Sequence, residues 1–261
     1  MNVDTFQVVV AIFGGFFAGA MNALAGFGSV ITLSIMIEFM GLPGNLANGT
    51  NRISVLAQSA MSTLAYYQKG KLSFKNSWPL IVFTSLGALL GVYLAVRISN
   101  EQFLAAFKYI LIGMLVIILV KPKRWLRKTN TENHHAPWYH LPLAFVVGIL
   151  GGFIQMGMGL FMLMVMVLVG RYNIIHANAL KVLIVTLYTA VVLIVFQVSG
   201  LVDWKIGLIF AIGQGLGGYL AAYLASVYPK ADIWVYRFLV LIVVAVLIKS
   251  FGVIPWIQGM M

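Results

Sequence analysis

The sequence predicts an all-α polytopic membrane protein made of two inverted repeats, each a broken, half-spanning helix pair followed by three transmembrane helices. Three observations predict it. First, 62% of the 261 residues are hydrophobic and only 9% are charged, and the mean hydropathy is +0.99, far outside the range of a soluble globular domain. Second, two apolar runs too long for one crossing are each interrupted by glycines and a side-chain amide. Third, the order of these features occurs twice, with loop cations distributed as an inverted duplication requires. The length leaves room for roughly eight to ten membrane segments of about 20 residues and none for a separate soluble domain.

The first apolar run covers residues 6–40 and is broken by Asn22, Gly26, Gly28 and Ser29. Glycines let backbone amides approach a ligand closely, and the piece at 29–40 is short for a full span. Gly41-Leu42-Pro43-Gly44 makes a turn. A third helix follows at 45–67 and carries Asn48, Thr50, Asn51, Arg52, Gln58 and Ser59. After a basic loop with Lys69, Lys71 and Lys75 come helices at 78–96 and 102–120. Gly87 and Gly91 have the spacing of close helix packing. Residues 121–139 form a basic linker, expected in the cytoplasm, between a first repeat at 1–120 and a second at 140–261. The second half opens with an apolar run from about 141, broken at Gln155-Met156-Gly157-Met158-Gly159, and a short piece continues to Val169.

The duplication is read from matched residues. Gly14-Gly15-Phe16 is paired with Gly151-Gly152-Phe153, Arg52 with Lys181, Phe74-Lys75 with Trp204-Lys205, and Gly87, Gly91, Tyr93 with Gly213, Gly217, Tyr219. Charge sets the orientation. With an odd number of crossings per half, Lys69, Lys71, Lys75, the 121–128 cluster, Arg171 and Lys230 fall on one side. A parallel arrangement would divide the two clusters between faces, against the cytoplasmic preference of Lys and Arg. Inverted repeats with both termini outside are expected.

Two stretches stand out within this frame. Ala47 to Val55 sets Arg52 among amides and hydroxyls, and His176 to Val182 repeats the pattern with Asn178 and Lys181. A cation at membrane depth costs at least a few kcal/mol unless it faces a partner, a cavity or a transported ion. Arg52 lies about seven residues into its helix, roughly 10 Å deep at 1.5 Å per residue, and Lys181 is at similar depth from the opposite face. The two cations are expected to converge on one anion, with Asn22, Asn48, Thr50, Asn51, Gln155 and Asn178 as neutral donors. Gly28, Ser29 and Gly159 would bring the positive N-terminal ends of the short helices to the same place. Arg offers a planar fork and Lys a point charge, a pairing suited to a small oxyanion.

Other readings of these residues stand beside this one. An intramembrane Arg can pair with a carboxylate or with helix carbonyls, and glycines commonly serve helix packing. Of six acidic residues only Glu38 falls inside an apolar run, where it could pair with a cation or carry a proton. His176 precedes the second polar stretch and is the other coupling candidate. His134, His135 and His140 read as surface or interfacial residues, with no spacing that holds a metal. Absence of cysteine excludes disulfides and thiolate ligation, and no cofactor is expected. The net charge of +11 reads as orientation in the bilayer, not as binding of nucleic acid. The N-terminus lacks the basic region of a secretory signal, so the first helix is expected to be retained.

The glycine-rich break at 22–29, Gly49-Thr50-Asn51-Arg52 after a Gly-Leu-Pro turn, the second break at 152–159 and Ala177-Asn178-Ala179-Leu180-Lys181 together resemble the TauE/SafE sulfite-exporter family of membrane permeases. The resemblance covers nearly the whole chain. It implies a permease of the bacterial inner membrane that exports sulfite, sulfoacetate or related anions. The alternatives are an anion channel, a carrier of another small anion and a membrane receptor. No enzyme is expected, since no nucleophile with its base, metal set or paired carboxylates lies within the apolar runs. The partners implied are a small anion and the lipid bilayer, with a homodimer left open.

Overall fold

The computed structural model describes residues 4–72, 77–106, 109 and 138–228. Most of the helix expected at 102–120, the linker apart from Trp138 and Tyr139, and everything beyond 228 lie outside the described residues. α1 (Thr5–Ala25) starts at a capping box, in which the Asp4 carboxylate accepts the Gln7 N–H at 2.7 Å and the Gln7 side chain accepts the Asp4 N–H. It stops at Gly26, whose φ of 77° is left-handed. α2 (Gly28–Ser34) runs straight into the π-helical segment Ile35–Phe39. At about 1.5 Å per residue the piece Gly28–Phe39 covers little more than half of a ~30 Å hydrocarbon core. α3 (Gly44–Gln68) and α4 (Trp78–Ala95) follow, and a helical stretch at 100–106 lies beyond them in the described part of the first half.

The second half repeats this order. α5 (His140–Phe153) breaks at Gln155 and Gly157, α6 (Met158–Met164) runs into the π-helical segment Val165–Val169, and α7 (Ile174–Val198) and α8 (Trp204–Val227) follow. α7 and α8 are capped by the side chains of Asn173 and Asp203. The central elements agree in length: α2 and α6 have 7 residues each, the π segments 5, and α3 and α7 25, whereas α1 and α4 have 21 and 18 residues against 14 and 24 for α5 and α8. The turns match too, since Leu42 and Tyr172 donate at 2.9 Å to the carbonyls of Met36 and Met166.

Partners are exchanged between the halves. α1 lies along α8, and α5 lies along α4, while α3 packs on α7 and α8. Small residues let these backbones close up. A Cβ on Gly213 or Gly217 would strike the carbonyls of Ile12 and Phe16, and one on Gly87 or Gly91 those of Phe145 and Ile149. This packing corrects one matched pair. Gly15 and Gly19 meet Phe210 and Gln214 as Gly148 and Gly152 meet Thr84 and Ala88, so the Gly14-Gly15-Phe16 to Gly151-Gly152-Phe153 pairing is out by about one helical turn. Gly14 and Gly151 instead face the side chains of their own half, Ile35 in one case and Met158 with Tyr188 in the other.

A second correction concerns the cations. With α3 and α7 in register, Asn48 stands opposite Asn178, and Lys181 therefore stands opposite Asn51, not Arg52. Among the described residues four helices, α1, α4, α7 and α8, are long and apolar enough to cross a membrane. α3 is long enough but polar. Asn48, Thr50, Asn51, Arg52, Ser54, Gln58, Ser59 and Ser62 are all buried, whereas Phe6, Phe13 and Phe17 of α1 and Leu208, Ile212 and Leu216 of α8 are exposed. The polar helix is thus sheathed by apolar ones.

Candidate functional site

The site lies where the two breaks meet. Gly26 and Gly159 touch backbone to backbone, and a Cβ on either would overlap the other. Each break leaves two helix ends in an apolar surrounding, a C-terminal end with orphan carbonyls and an N-terminal end with orphan amides.

The C-terminal ends are satisfied by cations donated from the opposite half. Lys181 of α7 donates from Nζ to the carbonyls of Asn22 and Ala23 at 3.1 and 2.9 Å, in the last turn of α1, and to Asn178 Oδ1 at 2.7 Å. Arg52 of α3 donates from Nη1 to the Gly151 carbonyl at 2.6 Å and Gln155 Oε1 at 2.8 Å. Its Nη2 donates to the Gly152 carbonyl at 2.9 Å and Asn48 Oδ1 at 3.2 Å. Positive charge at a helix C-terminus is favoured by the dipole as well as by the orphan carbonyls. Both side chains are buried, and the Arg52 guanidinium also lies 5.2 Å from the centre of the Phe196 ring. Among the described residues none of the hydrogen-bond partners of either cation is a carboxylate.

The N-terminal ends are left open. Neither α2 nor α6 has a side-chain cap. Ser29 Oγ, in the first turn of α2, is buried without a partner, as are Asn178 Nδ2 and Arg52 Nε on the side chains that serve the C-terminal ends, and Asn51 Nδ2 on α3. A cavity of about 10 Å³ is lined by Asn22, Gln58, Ser59, Gln155, Gly159, Lys181, Val182 and Val185, which is space for about one water.

Of the residues expected to form the site, Asn22, Gln155, Gly159 and Lys181 line one cavity, and Arg52 joins them through Gln155. Asn178 is held by Lys181, and Asn48 bridges Arg52 and the Phe153 carbonyl, 2.8 Å from its Nδ2. Gly28 presses on the Ala18 carbonyl and the Asn22 side chain. Thr50 turns away, its hydroxyl accepting the Asp203 N–H at 2.9 Å. Asn51 is engaged by Ser54, which Gln214 also contacts. Glu38 is exposed in the first π-helical segment, and His176 Nδ1 lies 3.2 Å from the Lys71 carbonyl.

Two contributors escaped the sequence reading of the site. Tyr188 donates to Gln155 Oε1 at 2.8 Å, and Gln58 accepts from Asn22 Nδ2 at 2.6 Å and donates to Ser62. Each sits two helical turns beyond a singled-out residue, Lys181 and Asn51 respectively, so helical periodicity pointed to both faces. Gln155 itself adopts φ 64°, a left-handed conformation uncommon outside glycine.

Interrupted helices meeting at a buried polar centre define a polytopic helical membrane protein built on the plan of a transporter. The chain belongs to a family of such transporters, Sulfite exporter TauE/SafE, whose profile matches residues 11–250. It is 26% identical over 83% of both chains to "Probable membrane transporter protein ORF9" of Sinorhizobium sp. It is 24% identical to "Probable membrane transporter protein YunE" of Bacillus subtilis (strain 168), over 82% of this chain and 87% of that one. With "Probable membrane transporter protein YfcA" of Escherichia coli (strain K12) it shares 24% identity over 82% of this chain and 78% of the relative. These are transporters and not enzymes. No solved structure gave a significant match.

Proposed function

We propose that the protein is an exporter of small sulfur-containing oxyanions, sulfite or an organosulfonate such as sulfoacetate, which it binds between the two helix breaks near the midplane of the bacterial inner membrane. The observation that carries this reading is the division of labour among the four broken ends. Both C-terminal ends are stabilised by resident cations, whereas both N-terminal ends are uncapped, and Ser29 Oγ in the first turn of α2 is buried without a partner. Ser29, Asn178 and Arg52 Nε are the groups expected to donate to substrate oxygens. Lys181 and the rest of Arg52 act through their charge, since their other N–H groups are engaged.

A compact anion suits this arrangement, because its charge meets two positive helix ends and two cations at once. An inside-negative potential drives each negative charge outward by about 2.3 kcal/mol per 100 mV. Inverted repeats with both termini outside and a cytoplasmic linker at 121–139 agree with the loop cations. The small cavity favours a carrier that must open its halves over a standing channel.

The test is a screen of sulfite, sulfate, sulfoacetate, taurine and thiosulfate against the purified protein by thermal unfolding, followed by counterflow in proteoliposomes. At least one sulfur oxyanion is expected to raise Tm and to show saturable counterflow. If none binds and none moves, the assignment fails; flux without saturation or counterflow would make the protein a channel.

A further inference from the structure

The surroundings of Lys181 have the chemistry of a cation site. Two backbone carbonyls at the end of α1 and one side-chain amide oxygen converge on a single buried point at 2.7 to 3.1 Å, and Nζ occupies that point. All three ligands are neutral acceptors. An ammonium has three N–H donors and no acceptor, so the group and the shell match one for one. Transporters built on repeats place a coupling Na⁺ at such points, where unwound carbonyls and half-helix C-terminal ends converge near the substrate. Here a tethered cation fills the position.

We propose that the end of α1 is a monovalent-cation site permanently occupied by the ammonium of Lys181, so that the anion is carried without a co-transported Na⁺. The proposal rests on the transport reading only for what the occupied site does during transport; the occupancy itself is a property of the protein at rest. The second break follows the same logic with a different cation. Arg52 covers the carbonyls of Gly151 and Gly152, so neither C-terminal end offers a vacant set of carbonyls to an ion from solution. Because both cations are part of the chain, the charge that crosses in each cycle is that of the substrate alone.

Removal of the ammonium should turn the occupied site into a vacant one. The full-length protein and its Lys181→Ala variant are purified in detergent, and Tm is measured in NaCl, KCl, ammonium chloride and methylammonium chloride, with choline chloride holding ionic strength constant. The wild-type Tm is expected to be the same in Na⁺, K⁺ and choline. Lys181→Ala is expected to melt lower in choline and to regain most of the loss, saturably, with Na⁺, ammonium or methylammonium. Lys181→Met, whose stem fills the space without a charge, is expected to show no such response.

A saturable, Na⁺-specific rise in the wild-type Tm overturns the proposal, and this arm needs no variant to fold. A folded Lys181→Ala that ignores every small cation overturns it as well. Sulfite added to the wild type in choline separates the two readings. If sulfite and the other anions leave Tm unmoved while Lys181→Ala responds to cations, the substrate assignment fails and the cation site stands.

Discussion

The two breaks carry out one task with different chemistry. At the first, a left-handed glycine, Gly26, ends α1, and a single ammonium gathers two carbonyls and an amide. At the second, two residues are left-handed, Gln155 as well as Gly157, and a guanidinium spans two carbonyls and two amide oxygens. A left-handed side-chain-bearing residue costs about 1–2 kcal/mol. Here Gln155 Oε1 accepts from both Arg52 and Tyr188 at 2.8 Å, which offsets that strain. The two halves thus share the backbone problem and differ in the side chains that solve it. Lys181 has every donor engaged, while Arg52 keeps Nε unpartnered, so the second break is the side with a strong donor still available.

The largest effect is expected at Arg52. Arg52→Ala orphans the Gly151 and Gly152 carbonyls and Asn48 Oδ1 and leaves Gln155 to Tyr188 alone, for an expected loss of at least about 3 kcal/mol at roughly 1–3 per buried acceptor, and it is expected to abolish transport. Arg52→Lys should recover part of the stability but not the fork across two carbonyls. Denaturant unfolding with counterflow checks both, and equal behaviour of Arg52→Ala and Lys181→Ala would erase the asymmetry between the breaks. Gly26→Ala comes next. It sets a Cβ against Gly159 at a left-handed position, for an expected loss of roughly 2–4 kcal/mol from conformation and overpacking together. Tyr188→Phe removes one hydrogen bond from Gln155 and should lower stability by about 1 kcal/mol, with a smaller transport defect than Arg52→Ala. The least change is expected from Thr50→Val. It leaves the Asp203 N–H without its acceptor, for about 1 kcal/mol or less, and anion counterflow should stay at the wild-type rate.

Much of this was legible in the sequence, for reasons specific to particular residues. Gly26 and Gly157 mark the breaks because glycine coincides there with Asn22 or Gln155 in an otherwise apolar run. Arg52 and Lys181 are visible because a cation in such a run demands a partner. Helix carbonyls stand among the partners that the sequence allows, but their place in the chain is not visible. Both cations bind backbone carbonyls, which every residue carries, so nothing in the sequence marks Gly151 or Ala23 as an acceptor. Similarity of residue type led Arg52 to be matched with Lys181, whereas the hydrogen-bonded turns before α3 and α7 set the register one residue apart. Nearness along the chain groups Thr50 and Asn51 with Arg52. On a helix, a two-residue step turns Thr50 to a different face, toward the start of α8.

The neutral surroundings of the two buried cations have a consequence for the membrane itself. With no described carboxylate hydrogen-bonded to either one, the polar centre of the molecule is electrostatically hostile to protons and metal ions, as positive groups are in the pores of water channels. On the proposed reading, in which an anion leaves as the halves part, the same positive charge would keep the ion gradients across the bilayer from draining through that opening.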